Sequence, residues 1–197
     1  MNTHDVISQA DLYDGYNASL TTDRFGKSQS AIGLNNGYYK MPAGVYFNSN
    51  FSFMAWVKLR EITHWSRIID VANQGPYDNV AFALNKEISG GITSFITSGT
   101  YFGLSYQTTT KFTLNSWQHV AFVLGYPNNY LYLNGNLMAT ATSAILPTNV
   151  IRKYNFVGKS TFPGDGLAVA DLDEIKIFNR ALTQQQVQFE MTNEIFN

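Results

Sequence analysis

Asn115-Ser-Trp-Gln-His-Val-Ala-Phe-Val-Leu124, followed by Tyr130-Leu-Tyr-Leu-Asn-Gly-Asn-Leu-Met-Ala139, reads as one strand and then a second folded back on itself. Asn134-Gly135 is the turn: both central residues of a type I′ hairpin need positive φ, which Gly takes freely and Asn takes at low cost. The alternating residues on either side supply the strands. This stretch sets an all-β reading for what surrounds it.

Working outward, Phe51 to Leu59 alternates with Phe51, Phe53, Ala55, Val57 and Leu59 on one face and Ser52, Met54, Trp56 and Lys58 on the other. Large apolar groups on both faces predict a central strand covered on both sides. Residues 12–20 predict a first strand, and 31–34 and 37–41 a second and a third, with Pro42-Ala-Gly44 after them. Further strands are expected over 67–71, 80–84, 92–97 and 101–106, separated by Gly75-Pro76, Gly90-Gly91 and Gly99. Thr183-Gln-Gln-Gln186 has the form of a capping box and predicts one short helix over 184–190.

Several of these segments carry a family resemblance. Trp117-Gln-His-Val-Ala121 before the Tyr-Leu-Asn-Gly hairpin, Phe51-Ser-Phe-Met-Ala-Trp-Val-Lys58, Trp65-Ser-Arg-Ile-Ile-Asp70 and Asp173-Glu-Ile-Lys-Ile-Phe-Asn-Arg-Ala-Leu182 follow in order along the chain. Together they resemble the laminin G-like, concanavalin A-like lectin and glucanase superfamily. The resemblance implies an antiparallel two-sheet jelly-roll sandwich with one short C-terminal helix. The match runs from about Leu12 to Met191, and a single domain is expected over residues 11–197, behind an N-terminal tail of residues 1–10 that is either disordered or extraneous to the domain. Lectins, adhesion modules and glycoside hydrolases all share that fold, so function has to be argued from a site.

Composition narrows the choice. The chain has 197 residues, 14% charged and 15% aromatic, with a net charge of −1. No basic surface is implied, which argues against nucleic acid and anionic membranes as partners. The absence of cysteine excludes disulfides and thiolate-bound zinc, and no apolar run approaches the ~18 residues of a membrane span. The resemblance implies an extracellular or cell-surface location within a larger protein.

Hydrolysis of a glycan needs two carboxylates facing each other, about 5–5.5 Å apart in retaining enzymes. The nearest candidate, Asp171-Leu-Asp-Glu174, puts Asp171 and Asp173 on one face and turns Glu174 away, so no catalytic residue is assigned and the chain is read as a non-enzyme. His119 sits within a strand pattern, and His4, His64 and His119 are too scattered for a zinc site.

A lectin-like, carbohydrate-binding module is the expected function, its partner a glycan or a glycosylated protein. A protein-binding adhesion module is the alternative, and a glucanase-type hydrolase stands third. Sugars stack their C–H faces on aromatic rings and direct hydroxyls to polar side chains. Trp65, Arg67, Tyr77, Asp78 and Asn79 are therefore the expected ligand-binding residues, while Trp56 and Trp117 are expected to pack in the core. The resemblance also implies a Ca²⁺ between the first and last strands, with Asp173 at the family's position. Asp14 on the first strand, with Asp11 near it, supplies the hard oxygen ligands that Ca²⁺ takes. A rival oxygen cluster is Asp70, Asn73, Asp78 and Asn79.

Overall fold

The computed structural model describes residues 10–73, 77–87, 90–99, 105–142 and 144–193. The expected tail with His4, the Gly75-Pro76 turn and the first part of the strand over 101–106 lie outside the described residues. The strands are β1 (Tyr13–Thr21), β2 (Ala31–Lys40), β3 (Phe51–Glu61), β4 (Arg67–Ala72), β5 (Val80–Ala83), β6 (Thr93–Ile96) and β7 (Ser105–Gln107). They continue as β8 (Trp117–Gly125), β9 (Asn128–Leu133), β10 (Asn136–Ala141), β11 (Tyr154–Val157) and β12 (Ala168–Phe178), before the helix α1 (Gln184–Thr192). Asn134 and Gly135 both have positive φ, 49° and 74°, as the hairpin between β9 and β10 requires.

Every strand pairing is antiparallel, in the order β10-β9-β8-β3-β12-β2-β11-β4-β5-β6-β7, with β1 also on β2. Where two short strands were expected over 31–41, the chain forms the single strand β2. Asn36, at φ 55°, bends the strand without ending it. Before the bend β2 pairs with β12 (Ile32 opposite Leu172), and after it with β11 (Lys40 opposite Phe156). One continuous sheet thus passes through β2 and curls, in place of two separate sheets.

The curl brings β3 and β8 face to face with β5. Phe82 on β5 stacks on Phe53 of β3 with centroids 4.4 Å apart and rings 6° from parallel, and meets Phe122 of β8 at 4.6 Å. Phe51, Phe53, Ala55, Val57 and Leu59 all enter this core, as their alternation predicts. The other face of β3 is covered too: Met54 packs with Ala121, Val123, Tyr132, Leu182 and Val187 beneath α1.

The helix is held at both ends. Thr183 Oγ1 accepts from the Gln186 amide at 3.3 Å while Gln186 Oε1 accepts from the Thr183 amide at 2.9 Å, completing the capping box. Lys176 Nζ donates to the Glu190 and Asn193 carbonyls at 2.8 and 2.7 Å, meeting acceptors that a helix C-terminus leaves open. Gln184 and Gln188 both reach the Gly135 carbonyl at 3.1 Å, which ties α1 to the hairpin turn.

Because Phe82 joins the two halves of the curl, Phe82→Ala is expected to destabilise the fold by ~3–5 kcal/mol. Phe189→Ala, at a ring 63% exposed, is expected to change stability by no more than ~0.5 kcal/mol. Urea unfolding of the two variants checks this; equal losses would mean that Phe82 does not bridge the halves.

Candidate functional site

Residues 158–166 run over the outer face of β4, and a row of buried polar side chains holds them there. Gly158 donates to the Ile68 carbonyl at 3.0 Å and Gly166 to the His64 carbonyl at 2.6 Å. At Gly158, φ is +88° and a Cβ would lie 2.6 Å from the Gly37 carbonyl oxygen, so only glycine fits. Between these anchors the Thr161 amide and hydroxyl donate to Asp70 at 3.1 and 3.0 Å. Asn79 Nδ2 donates to Asp70 Oδ1 and, at 3.3 Å, to Thr161 Oγ1. Arg67 Nη2 and Ser160 Oγ both donate to Asp165 Oδ2, at 2.8 and 2.6 Å. Arg67 Nε lies 3.5 Å from Asp70 Oδ2.

Asp70 and Asn79 are 0% exposed and Arg67 is 2% exposed. Burial raises the Asp70 pKa despite Arg67 and the donors from Thr161 and Asn79, and burial lowers that of Arg67 despite Asp70 and Asp165. Charges placed this deep persist only when paired and hydrogen-bonded. Arg67 and Asn79, expected to meet a ligand, instead lie beneath the loop and fix it. Asp165, Ser160 and Thr161, which complete this row, were not among the expected residues.

Asp78 is also drawn inward, 8% exposed, with Oδ1 accepting the Gly99 amide at 2.8 Å. Burial pushes its pKa up, but the Gly99 amide, the Thr148 and Asn73 side chains and Arg152 outweigh that and hold it below the usual carboxylate value. Tyr77 is 44% exposed, beyond the end of β4. Trp65 precedes the start of β4, which puts the two rings about 20 Å apart at ~3.3 Å per residue. The structure therefore does not bring Trp65 and Tyr77 together.

Trp65 sits differently from the other two tryptophans. Its backbone is left-handed, φ 52°, a conformation that a bulky residue keeps only when its surroundings impose it. The surroundings do so. Ser66 N donates to the Thr63 carbonyl at 3.3 Å, Asn85 Nδ2 to the same carbonyl at 2.7 Å, and Thr63 Oγ1 to the Leu167 carbonyl at 2.7 Å. Arg67 Nη1 closes the turn on the Trp65 carbonyl at 2.5 Å. The half-buried indole lies 5.5 Å from the half-buried Phe95 ring on β6, with the Arg67 guanidinium 5.8 and 5.0 Å from the two ring centres.

Trp56 and Trp117 lie half-buried on the outer face of β3 and β8. Trp56 Nε1 donates to the Met191 carbonyl at 3.3 Å, and its ring packs at 5.5 Å on His119 and 4.8 Å from the Arg24 guanidinium. His119 is 2% exposed, and burial, with Lys176 and Arg24 nearby, lowers its pKa to about 3.

The expected calcium pair is not assembled. Asp14 pairs with Lys40 at 2.9 Å near the end of β2, and Asp173 pairs with Arg24 at 3.0 Å near its start, about 30 Å away at ~3.3 Å per residue. Among the described residues no group of three His, Cys, Asp or Glu side chains is placed to hold a metal ion. In the rival cluster, Asp70 and Asn79 bond to each other. Burial raises the Asp173 pKa to about 6 against the pull of Arg24, with Glu174 adding to the rise. The other carboxylates of Asp171-Leu-Asp-Glu174 are also ion-paired: Asp171 with Lys58 and Arg60 at 3.4 and 3.1 Å, and Glu174 with Arg24 and Lys176 at 3.2 and 3.5 Å.

The curled antiparallel sheet with one short helix is consistent with a concanavalin A-like fold. The chain belongs to the concanavalin A-like lectin/glucanases superfamily, whose third laminin G family model matches residues 33–188. No curated protein matches the chain significantly by sequence. Among solved structures it is similar to domain 4 of AbnA, a GH43 extracellular arabinanase from Geobacillus stearothermophilus, in complex with arabinotriose. The TM-score is 0.71 at 18% identity, over 96% of this chain and 92% of that one. It is similar to the binding domain of Paraclostridial Mosquitocidal Protein 1, with TM-score 0.66 and 17% identity, over 94% of this chain and 48% of that one. A botulinum neurotoxin type C structure, described as dependent on two ganglioside molecules for cell entry, aligns with TM-score 0.68 and 13% identity, over 92% of this chain and 46% of that one. Likeness at these identities establishes the shared fold.

The buried imidazole generates a pH prediction. As pH falls, the unfolded chain takes up a proton at His119 near 6.5, whereas the folded chain does so only near 3, so acid favours unfolding across that window. Between pH 7 and 4.5 this contributes a loss of about 2.5 kcal/mol. Urea unfolding of His119→Gln at both pH values is expected to show a loss smaller by that amount than in the unsubstituted chain; identical losses would contradict a neutral buried His119.

Proposed function

We propose that the domain is a non-catalytic, extracellular glycan-recognition module and that Trp65 and Phe95 form the platform on which a sugar ring stacks. The left-handed Trp65 carries this reading. It is the one aromatic residue among the described positive-φ positions, and backbone strain of this kind concentrates at ligand sites. The turn around it and the row beneath residues 158–166 keep the rings in place, so binding costs little side-chain ordering. Exposed His64 flanks the platform with a hydrogen-bonding group for sugar hydroxyls, its ring 6.4 Å from that of Trp65. The arabinotriose complex of the arabinanase domain and the ganglioside dependence of the neurotoxin support a carbohydrate ligand for this fold.

Catalysis finds little support in the described carboxylates. Asp70 and Asp165 both approach Ser160 Oγ, at 3.5 and 2.6 Å, but Asp70 is sealed from solvent and cannot reach a glycosidic oxygen. Asp14 and Asp173 pair with Lys40 and Arg24 at opposite ends of β2, so the reading does not rest on a calcium ion shared between them. One observation favours a protein partner as the second reading: Leu137 and Met138, 46% and 47% exposed, lie on β10 at one end of the strand order.

A glycan array, run with and without chelator on the unsubstituted domain and on Trp65→Ala, tests the proposal. Binding to at least one uncharged glycan is expected, unaffected by chelator and abolished in Trp65→Ala. The substitution is expected to cost less than the ~3–5 kcal/mol of a core ring. A domain that retains no uncharged glycan, or a folded Trp65→Ala that binds uncharged glycans undiminished, would overturn it.

A further inference from the structure

A second aromatic surface lies on the other side of residues 158–166, across β1, β2 and β11, and its chemistry differs from that of the Trp65 platform. Strand β1 departs from regular pairing on both sides of Tyr16, between Tyr13 and Tyr16 and again between Tyr16 and Ala18. Asp14 and Asn17 take left-handed conformations there, φ 46° and 45°. Opposite them Gly37 admits the distorted strand, since a Cβ at Gly37 would stand 2.2 Å from the Asn17 carbonyl oxygen. Bulges of this kind re-aim side chains at sheet edges. Here they lay Tyr16, 52% exposed, in a stacked arrangement on Tyr38, with centroids 5.5 Å apart and planes 26° apart. Tyr38 in turn meets Phe156 edge-on at 5.7 Å.

Lys159 completes the surface. Its Nζ lies 4.7 Å from the centre of Tyr38 and 4.9 Å from that of Phe156, within cation–π range of both rings. Among the described residues no carboxylate pairs with it and no hydrogen bond engages it, and Asp14 is taken by Lys40 at 2.9 Å. The rings fix the ammonium in place and partly desolvate it without neutralising it. In such a setting an opposite charge gains more than it would in bulk water. Tyr38, with Tyr16 stacked on it, Lys159 over its ring and Phe156 edge-on to it, offers no open face of its own, so the exposed Tyr16 ring and the Lys159 ammonium are the two points of contact, spaced on either side of Tyr38 for consecutive units of a linear chain.

We infer that Tyr16 and Lys159, both braced by Tyr38 and Lys159 also by Phe156, form a second saccharide site, separate from the Trp65 platform, that takes a polyuronide with a sugar face on the exposed Tyr16 ring and a carboxylate on the Lys159 ammonium. The carboxylate supplies the charge that Lys159 lacks, and the C–H faces of the sugars cover the exposed tyrosine. The site does not depend on Trp65.

Calorimetric titration with oligogalacturonate tests this, with its methyl ester as the matched uncharged ligand and sialyllactose as a carboxylate on a short terminal sugar. The domain is expected to bind the free acid at least tenfold more tightly than the ester and sialyllactose, and more weakly as salt rises. Lys159→Met should bring the acid down to the level of the ester, Lys159→Arg should preserve the difference, and Tyr16→Ala should weaken both ligands. None of the three should move the melting temperature appreciably, and Trp65→Ala should leave the oligogalacturonate affinity unchanged. Equal affinity for acid and ester, undiminished binding by folded Lys159→Met, no binding of oligogalacturonate, or a preference for sialyllactose would each overturn the inference.

Discussion

The carboxylate of Asp70 is the constraint around which the candidate surfaces are arranged. A charge with no exposure to solvent must be met on every side, and in this protein the partners come from three parts of the chain: Arg67 on its own strand, Asn79 beside β5, and Ser160 and Thr161 from the 158–166 loop. Removing any one partner leaves the others buried and unsatisfied, which costs more than the lost bond itself. The loop is therefore held as firmly as a strand although it has no sheet pairing of its own. Its course divides the outer face, with Trp65 and Phe95 on one side and Tyr16, Tyr38 and Phe156 on the other.

The curl of the sheet makes that face available. Because β2 bends at Asn36 and changes partner from β12 to β11, the phenylalanine core closes on the inside, and the opposite surface of β4, β5 and β6 is left for polar and aromatic groups. On the other half of the curl α1 covers the equivalent surface, where Met54 and Val187 are fully buried. The two outer faces thus have different fates: one is sealed by a helix, and the other is crossed by a loop that leaves rings exposed at its margins. Recognition is assigned to the second for that reason.

Local chemistry was legible from the residues. The Asn134-Gly135 hairpin, the Thr183 capping box and the alternation of β3 each rest on neighbours a few positions apart, and the structure contains all three. The bend in β2 was misread as a strand break, because an Asn-Asn-Gly run marks a turn as readily as a bend inside a strand. Of the residues expected to meet a ligand, Trp65 is half-buried with its ring beside Phe95, whereas Arg67 and Asn79 are buried. Their partners Asp165 and Thr161 stand 98 and 82 positions further along the chain, and only the folded sheet brings them together. The Tyr16 platform was hidden for a similar reason, since the bulges that aim it arise from the close approach of Gly37 to β1.

The three indole N–H signals in an ¹⁵N-labelled sample separate the central assignment from its rivals most directly. On titration with an uncharged glycan retained on the array, the Trp65 signal should move and saturate with the ligand. The signals of Trp56, bonded to the Met191 carbonyl, and of Trp117, on the opposite outer face, should stay in place. A Trp65 signal that does not move while either of the others does would contradict the assignment and move recognition to the surface beside α1.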